Sequence, residues 1–596
     1  MKKAIVLLLT ILFFFLLVFS VFYRFGLPYM YLIFSALLSM LSILIVYKAK
    51  KSYQWVAYLL VIVLFVFLRV DYNVASGFSF IPLADGYQDY AVARMVMESG
   101  RCSVIGPNTG LIGLQSPSSW PLLHILAASI SEITTINLLS VVLILPLAFS
   151  LLIFAFVFLF IRKIAHKFGL GNRFVLLSML ICAITPDNVE TQMQFVRQSF
   201  ALVFFTIIVY FFLCEILIDE SKNTFMNKAL LIFFTLVLVL THDYTPFTLL
   251  LFCSALFALL YIVHPIATRR KITISALRFP VFFIIFTLTA LLAWWTFHAT
   301  VIWTAQGWVL QGFLHPRIRI FTYTLESAEM RWGYYNVLRP QLYTCLLNIR
   351  DAAIYVPSLI AFLIYGIRTF QRKKLTAHES FLMYSIVAFS LVLIYYEFIL
   401  GLQPMRVIWL GAPLIAYFAA SFYEYAFSRK RAILRIVVFS LMTLTIFSAF
   451  LSPWAHLYVS SYLYEPSIGF EDVGSHNIHF SSVIPFVKKY MPSTEFEAFL
   501  SDDPHLMYIV LPPESYQKIR DLHMSPDIVS NNTGSTAIFD FLHLNPSFHI
   551  LNVISEEHPE VLENLESFKQ EIMSKYDLVY NAGFSKIYVA GNSSGG

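Results

Sequence analysis

The chain has 596 residues, of which 59% are hydrophobic and 13% are charged, and its mean hydropathy is +0.73. Soluble globular domains carry about 25% charged residues, so this composition excludes a soluble globular protein. The formal net charge of +6 comes from basic residues scattered among short loops. A nucleic-acid-binding protein would gather them on one face, so that class is excluded too.

Apolar runs long enough to cross a bilayer recur from Ala4 to Leu451. A helix needs roughly 17 to 25 mostly apolar residues to cross about 30 Å of hydrocarbon. The first run follows Lys2 and Lys3 but has no small-x-small cleavage pattern, so it is predicted to be a retained helix. The runs predict about thirteen spans: 4–23, 28–47, 54–70, 137–161, 174–186, 195–218, 229–241, 245–264, 278–300, 353–368, 378–400, 407–427 and 433–451.

Lys and Arg residues cluster in every second loop between these spans. The basic loops fall at 48–51, 162–167, 269–271, 372–374 and 429–431. Positive residues near span ends resist translocation, so these loops and the N-terminus are predicted to be cytoplasmic. The chain is accordingly predicted to be a multi-pass protein of the plasma membrane. An odd number of spans places the C-terminal part outside.

The predicted organisation has two domains. Residues 1–451 form a polytopic α-helical membrane domain that includes an outer loop at 71–136, and residues 452–596 form an extracytoplasmic α/β domain. From Ser452 onward there are 7 Lys+Arg and 18 Asp+Glu, a net charge of −11, whereas the remainder is +17. Strands are predicted at 506–511 and 549–554, a helix at 559–575, and two strands around a Gly turn at 577–589.

The first outer loop turns from polar to helical at Asp85, and Asp89 follows four residues later on the same helix face. Asp is a common N-cap residue, so one interpretation is that Asp85 only caps this helix. The alternative is that a carboxylate at a membrane–water boundary acts as a general base or a metal ligand. Further along this loop, Leu122–Ile130 is amphipathic and too short to span, which predicts an interfacial helix.

Ionisable residues also lie at the outer ends of later spans. Because charges inside a membrane are costly, they are functional candidates; near a span end, however, an Arg can snorkel and an Asp can be solvated. Their collection on one face favours a site. They are Asp187, Glu190 and Arg197, then His242 and Asp243, then Glu397 and Arg406.

The order of these features resembles the GT-C glycosyltransferases, which include protein mannosyltransferases, lipid A aminoarabinose transferases and oligosaccharyltransferases. The resemblance covers roughly residues 1–451. It consists of an acid in the first outer loop, a Gly that ends the following helix, and a Pro-containing segment before the next helix. The residues concerned are Asp85, Gly100 and Ser116–Pro121, with similar segments at Val196–Ala201, Thr241–Thr245 and Gln403–Trp409.

The resemblance implies a polyprenyl- or dolichyl-phosphate sugar as donor and a glycan, lipid or protein as acceptor, within the lipid bilayer of the cell envelope. Arg has a fixed fork of donors that suits phosphate, and Arg406 and Arg197 are the candidates for binding it. Asp85 is the candidate base, and Asp89 or His242 the residue that orients it. Asp243 and Glu397 are supporting candidates.

Two features depart from the family. The only Trp-Trp pair, Trp294–Trp295, lies inside a predicted span and is followed by Thr296, so transfer of whole oligosaccharides to Asn is not expected. Asp85 is also not part of an Asp-x-Asp pair, which leaves dependence on a divalent metal such as Mg²⁺ or Mn²⁺ open.

Two other functions share these features. A transporter or flippase of lipid-linked sugar would have similar spans and outer charges, but it should show internal repeats, and the sequence shows none. A noncatalytic membrane assembly subunit is the other alternative.

The alternating basic loops predict that the segment after Ser452 and the loop that holds Asp85 lie on the same, non-cytoplasmic side. Single cysteines introduced into each region should react with an impermeant thiol reagent from the same side of sealed vesicles. Reaction of one region only from the inside and the other only from the outside would contradict this topology.

Overall fold

The architecture is described from a computed structural model of the chain. The structure describes residues 11–19, 28–48, 54–75, 84–101, 118–185, 195–213, 225–242, 244–263, 274–297, 341–372, 377–395, 409–428, 432–463, 498–501, 519–521, 536–540, 576–582 and 585–590.

Most of the described residues are helical. Two helices are continued by a π-helical turn, the helix Arg197–Val209 over residues 210–213 and the helix Tyr244–Ala258 over Leu259–Val263. The helices are α1 (11–19), α2 (Pro28–Lys48), α3 (Gln54–Ala75), α4 (Ala84–Ser99), α5 (Leu122–Thr134), α6 (Leu138–Lys167), α7 (Asn172–Ile184), α8 (Arg197–Val209), α9 (Phe225–Val239), α10 (Tyr244–Ala258), α11 (Ile274–Phe297), α12 (Gln341–Arg372), α13 (Ala377–Tyr395), α14 (Ala412–Ser428) and α15 (Ala432–Leu463).

Six of the described helices contain a segment long and apolar enough to cross a membrane, in α2, α6, α10, α11, α12 and α15. The chain is therefore an integral membrane protein. Each of the thirteen predicted spans overlaps a described helix. Several of these helices are shorter than a full crossing, so the count of thirteen crossings stays a prediction.

The chain divides into two compact units. The first contains Met1–Tyr72, Pro146–Met193 and Arg197–Pro453, and the second contains Asn73–Leu145, Gln194–Val196 and Trp454–Gly596. The predicted domain boundary at residue 452 lies within α15, which continues to Leu463. The division at that residue stays a prediction.

The second unit contains a five-stranded sheet. Its strands are β1 (Ala498–Ser501), β2 (Ile519–Asp521), β3 (Thr536–Asp540), β4 (Tyr576–Ala582) and β5 (Ser585–Ala590), in the order β2-β1-β3-β5-β4. β1 pairs in parallel with β2 and β3, with Phe499 opposite Ile519 and Ala537. β5 is antiparallel to both β3 and β4.

The two strands predicted at 577–589 are confirmed by β4 and β5. The strands predicted at 506–511 and 549–554 and the helix predicted at 559–575 lie outside the described residues. The sequence analysis did not predict β1 to β3, which are three to five residues long. The α/β class of the C-terminal part stays a prediction.

The core of the first unit is built around α7 and α14, which pack against each other. Every residue of α7 from Phe174 to Ile184 is buried, as is the run Ala416–Ala420 of α14. A helix that is apolar on all sides is a buried helix. Small residues four apart, Ala416 and Ala420, allow close approach of neighbouring backbones. Burial among other helices explains why α7 is too short to cross a bilayer alone.

Polar side chains in this core bond to the backbone of neighbouring helices. The Tyr423 hydroxyl of α14 donates to the Ala353 carbonyl of α12 at 2.6 Å. The Ser358 hydroxyl of α12 lies 2.8 Å from the Ile415 carbonyl of α14 and 2.8 Å from the Ile354 carbonyl of its own helix. Buried hydroxyls of this kind fix the register of two helices, because a hydroxyl in an apolar interior needs a partner.

Removing the Tyr423 hydroxyl should weaken the contact between α12 and α14. Interhelical hydrogen bonds in membrane proteins contribute about 0.6 kcal/mol on average and up to about 1.7 kcal/mol. Tyr423→Phe should lower the free energy of unfolding in mixed detergent micelles by an amount in this range. Tyr58→Phe is the control, because it keeps the ring contact with Phe158 and removes a half-buried hydroxyl. Equal stability of Tyr423→Phe and the unsubstituted protein would contradict a stabilising role.

Candidate functional site

The helix that carries the two predicted acids is α4. It begins at Ala84, so Asp85 lies in its first turn rather than before it; the Asp85 side chain is outside the described part. Asp85 and Asp89 are four residues apart and share one face of the helix. Gly100 ends α4 with a φ of +65°, and its N–H donates to the Val96 carbonyl at 2.9 Å. This left-handed position favours Gly, which confirms the predicted helix end.

Helix α5 packs against α4 and confirms the helix predicted at Leu122–Ile130. Its buried residues are Leu123, His124, Ala127, Ala128 and Ser131, a spacing that corresponds to one face of a helix. Ala91 and Ala93 of α4 are also fully buried. The small side chains on both helices let the two backbones lie close together.

The polar link between α4 and α5 is formed by Asp89 and His124. The Nε2 atom of His124 lies 2.8 Å from the Oδ1 atom of Asp89. The exposed fraction is 0% for the His124 side chain and 1% for that of Asp89. The carboxylate accepts, so Nε2 carries the hydrogen, a tautomer inferred from the geometry. A carboxylate that is excluded from water depends on such a partner, because leaving a buried charge unpaired costs roughly 3 to 5 kcal/mol.

Other charged groups on α4 lie at its far end. Arg94 donates from Nε to the Glu98 carboxylate at 2.9 Å, a spacing of one turn on an exposed surface that contributes only about 0.3–0.5 kcal/mol. Burial raises the pKa of Tyr90, with Arg94 acting in the opposite direction. Tyr90 therefore stays neutral beside Asp89.

The segment that leads into α5 belongs to the pattern that resembles the GT-C enzymes. Ser118, Ser119 and Trp120 are buried, and Trp120 is among the largest fully buried side chains. Pro121 directly precedes α5, and its carbonyl accepts from the Ile125 N–H at 2.9 Å. Trp120 and Pro121 thus hold the start of α5, one turn from His124.

The remaining predicted site residues fall in the first unit. Arg197 is the first residue of α8 and is half-buried. His242 precedes α10, where its Nδ1 atom accepts from the Thr245 N–H at 3.3 Å and lies 3.1 Å from the Thr245 hydroxyl. His242 therefore acts as an N-terminal cap of α10. Asp243, Glu397 and Arg406 lie outside the described residues.

No group of three or more His, Cys, Asp or Glu side chains that could hold a metal ion occurs among the described residues. Dependence on a divalent metal stays an open prediction.

His124 is the residue of the Asp89–His124 pair that was not predicted from the sequence. The available signal was its position as a titratable residue within the amphipathic stretch Leu122–Ile130.

An apolar crevice lies within the first unit. The Thr206 hydroxyl in its wall bonds to its own helix, donating to the Leu202 carbonyl at 2.8 Å. The crevice is therefore suited to a hydrocarbon chain rather than a polar ligand. It is lined by Val157, Phe160, Phe205, Thr206, Val209, Tyr210, Phe252, Phe389, Leu410, Pro413 and Leu414.

No protein-family model matches the sequence, and no curated protein matches it significantly. The fold is similar to ArnT from Cupriavidus metallidurans bound to undecaprenyl phosphate, with a TM-score of 0.48 and 11% identity over 90% of this chain and 99% of that chain. It is similar to the oligosaccharyltransferase of Archaeoglobus fulgidus in the apo form, with a TM-score of 0.47 and 12% identity over 82% of this chain and 70% of that chain.

A third similar structure is the Archaeoglobus fulgidus oligosaccharyltransferase AglB in complex with an inhibitory peptide and a dolichol-phosphate. Its TM-score is 0.45, with 10% identity over 90% of this chain and 75% of that chain. The resemblance of the sequence to the GT-C glycosyltransferases stays a prediction. Similarity at these scores and identities assigns no activity to this chain.

The Asp89–His124 pair should show strong energetic coupling. Removing one partner of a buried pair costs roughly 3 to 5 kcal/mol, so Asp89→Ala and His124→Ala should each lower the free energy of unfolding substantially. Loss of the second partner should cost much less, because no buried charge then remains unpaired. Unfolding of the two single variants and the double variant in mixed micelles measures this coupling. Additive effects would show that the two side chains do not stabilise each other.

Proposed function

We propose that the chain is a membrane glycosyltransferase that transfers a sugar from a polyprenyl-phosphate-linked donor to an acceptor on the outer face of the membrane. The observation that carries the proposal is the arrangement on α4. Asp85 and Asp89 are one turn apart in α4, and the Asp89 carboxylate is buried against His124 at 2.8 Å. A base in such a reaction has to be held in one position, and this arrangement provides a rigid support for Asp85.

In the proposed reaction the acceptor hydroxyl attacks the anomeric carbon of the sugar. The bond between that carbon and the phosphate oxygen breaks, and polyprenyl phosphate leaves. Asp85 takes the proton of the attacking hydroxyl. Asp89 is suited to positioning rather than to this role, because its carboxylate is fully buried and bonded to His124.

The donor phosphate is proposed to bind Arg197 and Arg406. Arg197 lies in the first turn of α8, where the helix dipole opposes a cation and favours an anion. A phosphate at this helix end would interact favourably with both the guanidinium and the helix dipole. The metal remains a separate proposal, since a divalent cation could neutralise the same phosphate.

The polyprenyl tail is proposed to occupy the apolar crevice of the first unit, whose walls offer aromatic and aliphatic side chains. Undecaprenyl phosphate and dolichol-phosphate, the ligands named for ArnT and AglB, belong to the same chemical class. The proposal itself is based on residues of this chain. The sugar donor is the substrate that distinguishes a transferase from a flippase, because a flippase leaves the sugar–phosphate bond intact.

Asp85→Asn provides the test that separates an enzyme from a transporter or an assembly subunit. Asn has nearly the same size and shape as Asp, so the variant should fold, but it cannot accept the proton. Loss of a general base typically lowers the rate by about 10²- to 10⁴-fold. The assay supplies purified protein with polyprenyl-phosphate sugars and follows release of polyprenyl phosphate.

Glu98→Gln is the matched control, because it replaces an acid at the exposed end of the same helix and should leave the rate unchanged. A folded Asp85→Asn protein that transfers sugar at the original rate would remove Asp85 from the role of base. Failure of the unsubstituted protein to release polyprenyl phosphate from every sugar donor tested would contradict the transferase itself.

A further inference from the structure

We infer that His124 is a positioning residue that sets the place of Asp85 through Asp89. The inference deepens the proposed function, on which its catalytic part depends. The observations are the 2.8 Å contact between His124 and Asp89 and the complete burial of both side chains. His124 itself lies too deep to contact a substrate.

The pair fixes how α4 lies along and around α5. Rotation of α4 by one residue, about 100°, would carry the Asp89 carboxylate away from the imidazole and leave it buried without its partner. Sliding by one turn, about 5.4 Å, would lengthen the 2.8 Å contact far beyond hydrogen-bond range. Both movements are therefore strongly opposed while His124 is present.

The same constraint extends to Asp85. Asp85 precedes Asp89 by one turn on the same face, about 6 Å along the helix axis, and belongs to the first turn of α4. The N–H groups of a first turn have no partner within the helix, so helix ends fray readily. Holding Asp89 anchors the second turn and restricts the movement of the first. A misplacement of about 1 Å can reduce catalysis by about 100-fold.

The chemistry of position 124 suggests two informative substitutions. His124→Gln keeps an N–H at about the reach of Nε2 and can still donate to the Asp89 carboxylate. His124→Leu has a similar size but cannot donate a hydrogen bond. Ser131→Ala is the control on the same buried face of α5, because it removes a bond from the Ser131 hydroxyl to the Ile136 carbonyl at 2.7 Å but leaves the pair intact.

Measurements of sugar transfer should distinguish a positioning role of His124 from a purely stabilising one. Per folded molecule, His124→Leu should lower kcat roughly 10- to 100-fold and leave the KM for the sugar donor unchanged, while His124→Gln should recover most of the loss. Ser131→Ala should keep the original kcat even where its unfolding temperature falls. An original kcat in folded His124→Leu would overturn the inference.

Amide hydrogen exchange tests the positioning without relying on activity. His124→Leu should accelerate exchange at residues 85–89 severalfold, and His124→Gln and Ser131→Ala should not. If the unsubstituted protein transfers no sugar but this pattern is found, the proposed function fails and the positioning of α4 by His124 stands. Unchanged exchange at residues 85–89 in His124→Leu would overturn the positioning even if the protein is an active transferase.

Discussion

A carboxylate that is shielded from water needs partners within the protein, and for Asp89 one of them is the imidazole of His124. The contact between Asp89 and His124 joins two helices that are otherwise held by small apolar side chains. Apolar packing alone is non-directional and tolerates sliding. The hydrogen bond adds direction to the contact between α4 and α5.

The same requirement applies in the first unit, where buried polar side chains form hydrogen bonds to backbone carbonyls. Arg69 of α3 is fully buried, and its guanidinium lies 3.3 Å from the centre of the Phe65 ring. It donates to the Ala183 carbonyl at 3.4 Å, near the C-terminal end of α7, where a cation is favoured by the helix dipole. The Arg69 charge would be costly in lipid, and its bond to Ala183 connects α3 to α7.

Periodicity and turn residues revealed the parts of the fold that depend on local sequence. The helix at 122–130, the helix end at Gly100 and the strands of β4 and β5 were predicted because each has a local signal. The pairing of Asp89 with His124 was not predicted. His124 is 35 residues away in the sequence, and a contact between residues so far apart leaves no periodic pattern in the sequence. Strands as short as Ile519–Asp521 and the full burial of α7 likewise depend on tertiary packing.

The contact with His124 also changes the electrostatics of the helix face on which Asp89 lies. At a spacing of one turn, two unpaired carboxylates repel each other by a few tenths of a kcal/mol in water and by more where water is scarce. The imidazole beside Asp89 compensates the inner carboxylate, because an N–H that points at Oδ1 withdraws negative charge from the shared face. A carboxyl group one turn away on the same face is then repelled less strongly. In the proposed function, the difference between the two acids comes from His124, which pairs with Asp89.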